Sequence, residues 1–103
     1  MDDWERTEQD RELGEMFSRR EAKLLKGFRA FIYDGQADDI LDRACGMIHH
    51  LTRVELPGIK KRIDNAGGYT IPLVVRYDGL LSHYEKLLIK LNKEAGECER
   101  GDG

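Results

Sequence analysis

Between Thr70 and Lys93 the chain carries an apolar face that only a buried helix can use. Leu73, Tyr77, Leu80, Tyr84, Leu87 and Leu91 step by four and three alternately, and Val74, Leu81 and Leu88 repeat every seven residues beside them; this is a helical period with a broad stripe. Thr70 is placed to cap its start, Pro72 is tolerated within a first turn, and Gly96 stands just past the last periodic residue;. A face this wide needs at least two other helices against it.

Two further segments supply them. Leu13, Met16, Phe17, Leu24, Leu25, Phe28, Phe31 and Ile32 recur at helical spacing, interrupted by Arg20, and Thr7 with Asp10 resembles a capping box at the start;. Gly14 and Gly27 weaken this helix by roughly 1 kcal/mol each relative to alanine, and Tyr33-Asp34-Gly35 is a turn signal that ends it;. The second segment starts near Asp38 or Asp39 as cap. Ile40, Ala44, Met47, Leu51 and Val54 form its first stripe, with Leu41 and Ile48 alongside, and Leu56, Ile59, Ile63 and Ala66 form a second stripe in a new register;. Pro57 lacks an N–H and disfavours helical geometry at the residue before it, which predicts a kink, or a junction of two helices, around Glu55 to Gly58. Asn65-Ala66-Gly67-Gly68 closes the segment;.

The expected fold is therefore all-α: a small antiparallel bundle of three long helical segments, the second kinked or split at Pro57. The expected organisation is a flexible acidic N-terminus over 1–9, a bundle over 10–93 and a disordered acidic tail over 94–103. A chain of 103 residues suits one such domain;. The longest uncharged run, Ala66 to Val75, is too short and glycine-rich to span a bilayer, so no membrane association is expected;. Met1-Asp2-Asp3-Trp4-Glu5 has neither a basic region nor an apolar core of a secretory signal, and two cysteines, Cys45 and Cys98, make a poor disulfide framework;. A cytoplasmic location is the expectation.

The net charge of −3 hides a segregated pattern. Residues 1–15 hold seven acids against two arginines, residues 16–33 five bases against one acid, and residues 53–62 four bases against one acid;. Arg19, Lys23 and Lys26 form a row on the first helix, Arg76, Lys86, Lys90 and Lys93 a row on the third opposite its apolar stripe, and Lys60, Lys61 and Arg62 a cluster between them. Such rows can neutralise phosphates without reading sequence, or can simply be solvated.

Chemistry-bearing patterns are thin. Cys45 and His49 share a helical face at i and i+4, yet a structural zinc site needs four ligands, and no CxxC accompanies them; a small buried thiol beside a solvated histidine is the plainer reading. No nucleophile or carboxylate pair is spaced with His49, His50 or His83, so no catalytic, cofactor-binding or metal-ligating residue is assigned and no small-molecule substrate is inferred. Ile59 to Ala66, the glycine turn, then Tyr69 to Leu80 has the rhythm of a helix-turn-helix, but Ile71, Leu73, Val74 and Val75 stand where a reading helix exposes polar side chains.

Together these features point to a non-enzymatic interaction protein, an adaptor, inhibitor or small structural subunit, that binds another macromolecule through helical surfaces. The alternative is a binder of the nucleic-acid backbone using the basic rows. A homodimer is expected, with Val74, Leu81 and Leu88 as the apolar surface that meets a second copy or another protein; the compact monomer is the competing arrangement.

Overall fold

The computed structural model describes residues 3–33 and 37–101, with side chains placed over 8–33 and 37–96. Four helices account for nearly all of it: α1 (Asp3–Tyr33), α2 (Asp38–His50), α3 (Leu56–Ala66) and α4 (Ile71–Gly101), with α2 and α3 joined by a π-helical turn at Leu51–Glu55. No strand occurs among the described residues. In space these make three rods. Phe17 stacks on Tyr77 and, further along, Gly27 meets Leu88, so α1 and α4 run parallel. Arg43 reaches Glu94 at one level while Ile59 and Leu80 share a groove at another, so the α2–α3 rod runs antiparallel to both. The molecule measures 62 × 20 × 19 Å with a radius of gyration of 16.9 Å, against about 13 Å for a rounded domain of this length.

The core is one seam down the long axis. Phe17, Leu24, Phe28 and Phe31 of α1, Ile40, Ala44, Leu51, Leu56, Ile59 and Ile63 of the second rod, and Tyr77, Leu81, Tyr84, Leu91 and Ala95 of α4 are buried together. The three-rod bundle anticipated from the spacing is the observed architecture. Its boundaries are wider than the sequence suggested. α1 begins at Asp3, so Thr7 lies inside the helix rather than at its cap, and α4 runs to Gly101, with Ala95 buried beyond the expected limit at 93. The turn expected at Asp34-Gly35 falls outside the described residues, as do Met1, Asp2, Asp102 and Gly103 and the side chains of Trp4 and Cys98.

The change of register in the second rod has a different origin from the one expected. Glu55 (φ −70°, ψ −53°) and Leu56 (φ −65°, ψ −47°) are helical, so the chain passes Pro57 unbroken. The extra residue enters one turn earlier, where the Leu56 N–H donates to the Leu51 carbonyl in a five-residue step;. Leu51 and Leu56 both point inward, whereas Val54, assigned to the first stripe, is 55% exposed and Ala66 is exposed as well. The Thr52 hydroxyl donates to the Ile48 carbonyl at 2.8 Å, and His50 Nε2 lies 3.0 Å from Glu55 Oε1, a pair five apart that the π register aligns.

Helix ends follow local rules with two substitutions. α2 is capped by Ala37 without a side-chain bond; Asp38 and Asp39 lie in the first turn, where they favour the positive end of the helix dipole;. α3 ends in paired bonds, Gly67 N–H to the Asp64 carbonyl at 3.1 Å and Gly68 N–H to the Ile63 carbonyl at 3.0 Å, with φ of 78° and 146° at the two glycines;. A side chain at Gly68 would also collide with the Asp10 carboxylate. Asp10 accepts the Tyr69 N–H at 3.3 Å, fastening α1 to the run-in of α4, and the Thr70 carbonyl takes the Val74 N–H at 2.9 Å as the first bond of that helix.

Candidate interaction surfaces

Three grooves run between the rods, and what sits in each decides whether it is already satisfied. Between α1 and α3 the spacing 17, 21, 24, 28 along the buried face of α1 puts Glu21 inside, at 7% exposure. The Tyr77 hydroxyl donates to one of its oxygens and Lys60 Nζ lies 3.1 Å from the other. Phe17 stacks on the Tyr77 ring at 4.2 Å with a 2° tilt, and on Tyr69 at 5.9 Å. Burial and then the Glu21 hydrogen bond and charge push the Tyr77 pKa well above that of an ordinary phenol; Tyr69 is raised by burial and then by the charges of Glu21, Asp10 and Asp64. The hollow above this centre, about 720 Å³, is rimmed by Arg11, Arg19 and Lys60, but each is matched: Arg11 by Glu8 and Glu15, Arg19 by Glu15, Lys60 by Glu21.

Between α1 and α4 the side chain that interrupts the apolar pattern of α1 turns out to clamp the two helices. Arg20 donates to Asp78 at 2.6 Å, to Ser82 at 3.2 Å and to Glu85 at 3.2 Å. Burial opposes its charge, but the hydrogen bonds and charges of Asp78 and Glu85 outweigh that and raise its pKa. Beside the clamp, Gly27 lets α1 approach Leu88 closely.

The groove between the second rod and α4 differs. Val54, Gly58, Ile59 and Leu80 form its floor, a hollow of about 410 Å³, and Arg62 and Arg76 stand on its two walls. Neither arginine has an ion-pair partner among the described residues, and Glu55, the acid in the groove, is engaged by His50. Elsewhere along the rods Arg20 and Arg43 bridge to acids on the neighbouring helix. These two do not.

The residues singled out from sequence fall into place unevenly. Leu81 is fully buried at 0% exposure, and Val74 and Leu88 pack against the same core, so this row belongs to the seam of the protomer and is not a surplus face. The outward apolar residues of α4 are Ile71, Val75 and Ile89. Lys60, Lys61 and Arg62 do not act as a cluster: steps of about 100° per residue send Lys60 to Glu21, Lys61 to solvent and Arg62 into the groove with Arg76. Arg19, Lys23 and Lys26 are exposed on α1, and Lys86, Lys90 and Lys93 on α4, with the acids Asp78 and Glu85 between the two helices. Cys45 is exposed, not buried, and no group of three potential metal ligands occurs among the described residues. Nor do α3 and α4 cross as a reading pair; they lie side by side along their shared groove. No described helix is long and apolar enough to cross a membrane.

Glu21 was missed in the sequence, although its place four residues after Phe17 and three before Leu24 marks a core position;. Its meeting with Lys60, like that of Arg62 with Arg76, depends on how distant segments come together, which spacing alone does not encode. No known protein family, curated protein or solved structure matches this chain.

Proposed function

We propose that the protein is a non-enzymatic interaction module, an adaptor, inhibitor or small structural subunit, that binds another protein through the groove between α3 and α4. One observation carries this reading: Arg62 and Arg76 line an open groove with an apolar floor and have no ion-pair partner among the described residues, while the one acid of the groove, Glu55, is engaged by His50. An apolar centre with arginine at its edge has the composition favoured at protein interfaces. The exposed thiol of Cys45 suits the reducing cytoplasm as its place of action;.

A photo-crosslinking residue in place of Val54 tests it, with the same residue in place of the exposed Ala22 on α1 as control. Capture of a protein in the native host from position 54 and not from 22 is the expected result. Equal capture from both positions, or from neither, refutes it. A second reading, binding of a nucleic-acid backbone, draws support from Lys86, Lys90 and Lys93, which stand exposed on α4 without ion pairs among the described residues. It predicts an affinity that falls steeply with salt. Binding through the α3–α4 groove weakens far less, because its centre is apolar.

A further inference from the structure

The geometry points to the chemistry of the partner: an amphipathic helix with leucine-like anchors on one face, flanked by aspartate or glutamate. The inference rests on the groove reading above and adds what fills it. The charge of the groove decides the occupant.

Arg62 on α3 and Arg76 on α4 outnumber the one acid of the groove, Glu55, which His50 already engages, and neither arginine has an ion-pair partner among the described residues. A cationic or neutral helix would leave both uncompensated, whereas acids on either edge of an incoming helix would pair with one arginine each. The apolar floor separates this from a phosphate track. A nucleic-acid backbone makes no use of Val54, Ile59 and Leu80, while alternate anchors of an amphipathic helix do.

The probe is a synthetic stapled helix of about three turns, with leucines at i, i+4 and i+7 and glutamates on both flanks. Its counterpart carries lysines in place of the glutamates. Fluorescence anisotropy with the full chain is expected to show the acidic probe binding at least about tenfold more tightly than the basic one. Gly58→Leu should lose about tenfold by filling the groove, and circular dichroism should show its helix intact. Gly46→Leu, also facing open space but on α2, should leave affinity unchanged. Arg62→Glu with Arg76→Glu should invert the preference between the two probes.

Equal binding of both probes, or indifference to Gly58→Leu, overturns the inference. So does a polythymidylate strand that binds the wild type and is lost on the double charge reversal while the acidic helix fails to bind. The two readings fail separately: crosslinking from position 54 to a protein segment that is not acidic leaves the groove reading standing and removes the acidic partner, whereas absence of position-specific capture removes the groove itself.

Discussion

Tyr77 donates its hydroxyl to the one buried charge of the described core, and this links the stability of the fold to alkaline pH;. Its pKa is raised in the fold, by burial first and the Glu21 carboxylate second. The protonated phenol is therefore the form the fold favours. Its contribution is fully present below the ordinary phenol pKa of about 10 and is lost as pH climbs above it, by about 1.4 kcal/mol per pH unit for each proton released. Tyr69 and Tyr84, both raised chiefly by burial, add to the same trend. Urea midpoints should be flat near neutrality and fall above about pH 10, with Tyr77→Phe flattening part of that fall. Glu21→Ala should cost about 2–3 kcal/mol because it strands the buried hydroxyl, and combining it with Tyr77→Phe should cost less than the sum of the two. Additive losses would mean that the pair is not coupled.

At the scale of the element, the π turn is one residue inserted into an otherwise regular helix, and the sequence already carried its mark: Leu51 and Leu56 are both core residues five apart, where an α-helix places them three or four apart;. The register shift was readable, but Pro57 drew the explanation because its steric effect is local and familiar. The structure locates the adjustment before the proline, where a wider turn moves the carbonyl that the ring would strike;. Deleting Val54 should bring both stripes into a single α register. In a Pro57→Ala background the deletion variant should keep native helicity, whereas with Pro57 present the same deletion should cost about 3 kcal/mol more, since the ring would then sit inside a regular helix. Urea titration of the four variants measures that coupling. If the deletion is equally damaging in both backgrounds, the π turn serves packing and not the proline.

For the whole molecule, the 4-3 spacing of Phe17, Leu24, Phe28 and Phe31 and of Tyr77, Tyr84 and Leu91 was enough to specify three rods and most of the seam. It was not enough to rank the two rows of α4, because a stripe at helical spacing fixes a face only to within about a third of a turn. Leu81, assigned to a surplus row, lies deepest, while Leu80 and Leu87 of the main stripe are half-buried. Leu81→Asp should abolish cooperative unfolding, because no partner exists for a carboxylate in the seam; Leu80→Asp should be milder. With Leu81 engaged inside the protomer, the exposed large apolar residues are Ile71, Val75 and Ile89 on α4 and Met16, Tyr33 and Val54 on the other rods. Drawn from three rods and not from one row, they predict a monomer. Sedimentation equilibrium should show an 11.9 kDa species across a wide concentration range, and a dimer that survives Val75→Glu and Ile89→Glu would require another face.

The Arg20 clamp ties α1 to residues 58 to 65 positions further along the chain, whereas α3 and α4 are joined through the short turn at Gly67 and Gly68. Closing the short connection costs less entropy than bringing α1 to α4 across the second rod, which predicts that the α3–α4 contacts form before the α1–α4 contacts. On that expectation Arg20 is a latch that closes after the barrier has been crossed. Arg20→Ala should raise the unfolding rate about fivefold for a loss of roughly 1 kcal/mol, leaving the refolding rate unchanged in stopped-flow chevrons; a slowed refolding arm would instead put α1 in the nucleus. The same ion pairs that look like ordinary stabilising contacts would then govern how long the folded state lasts and have little influence on how fast it is reached.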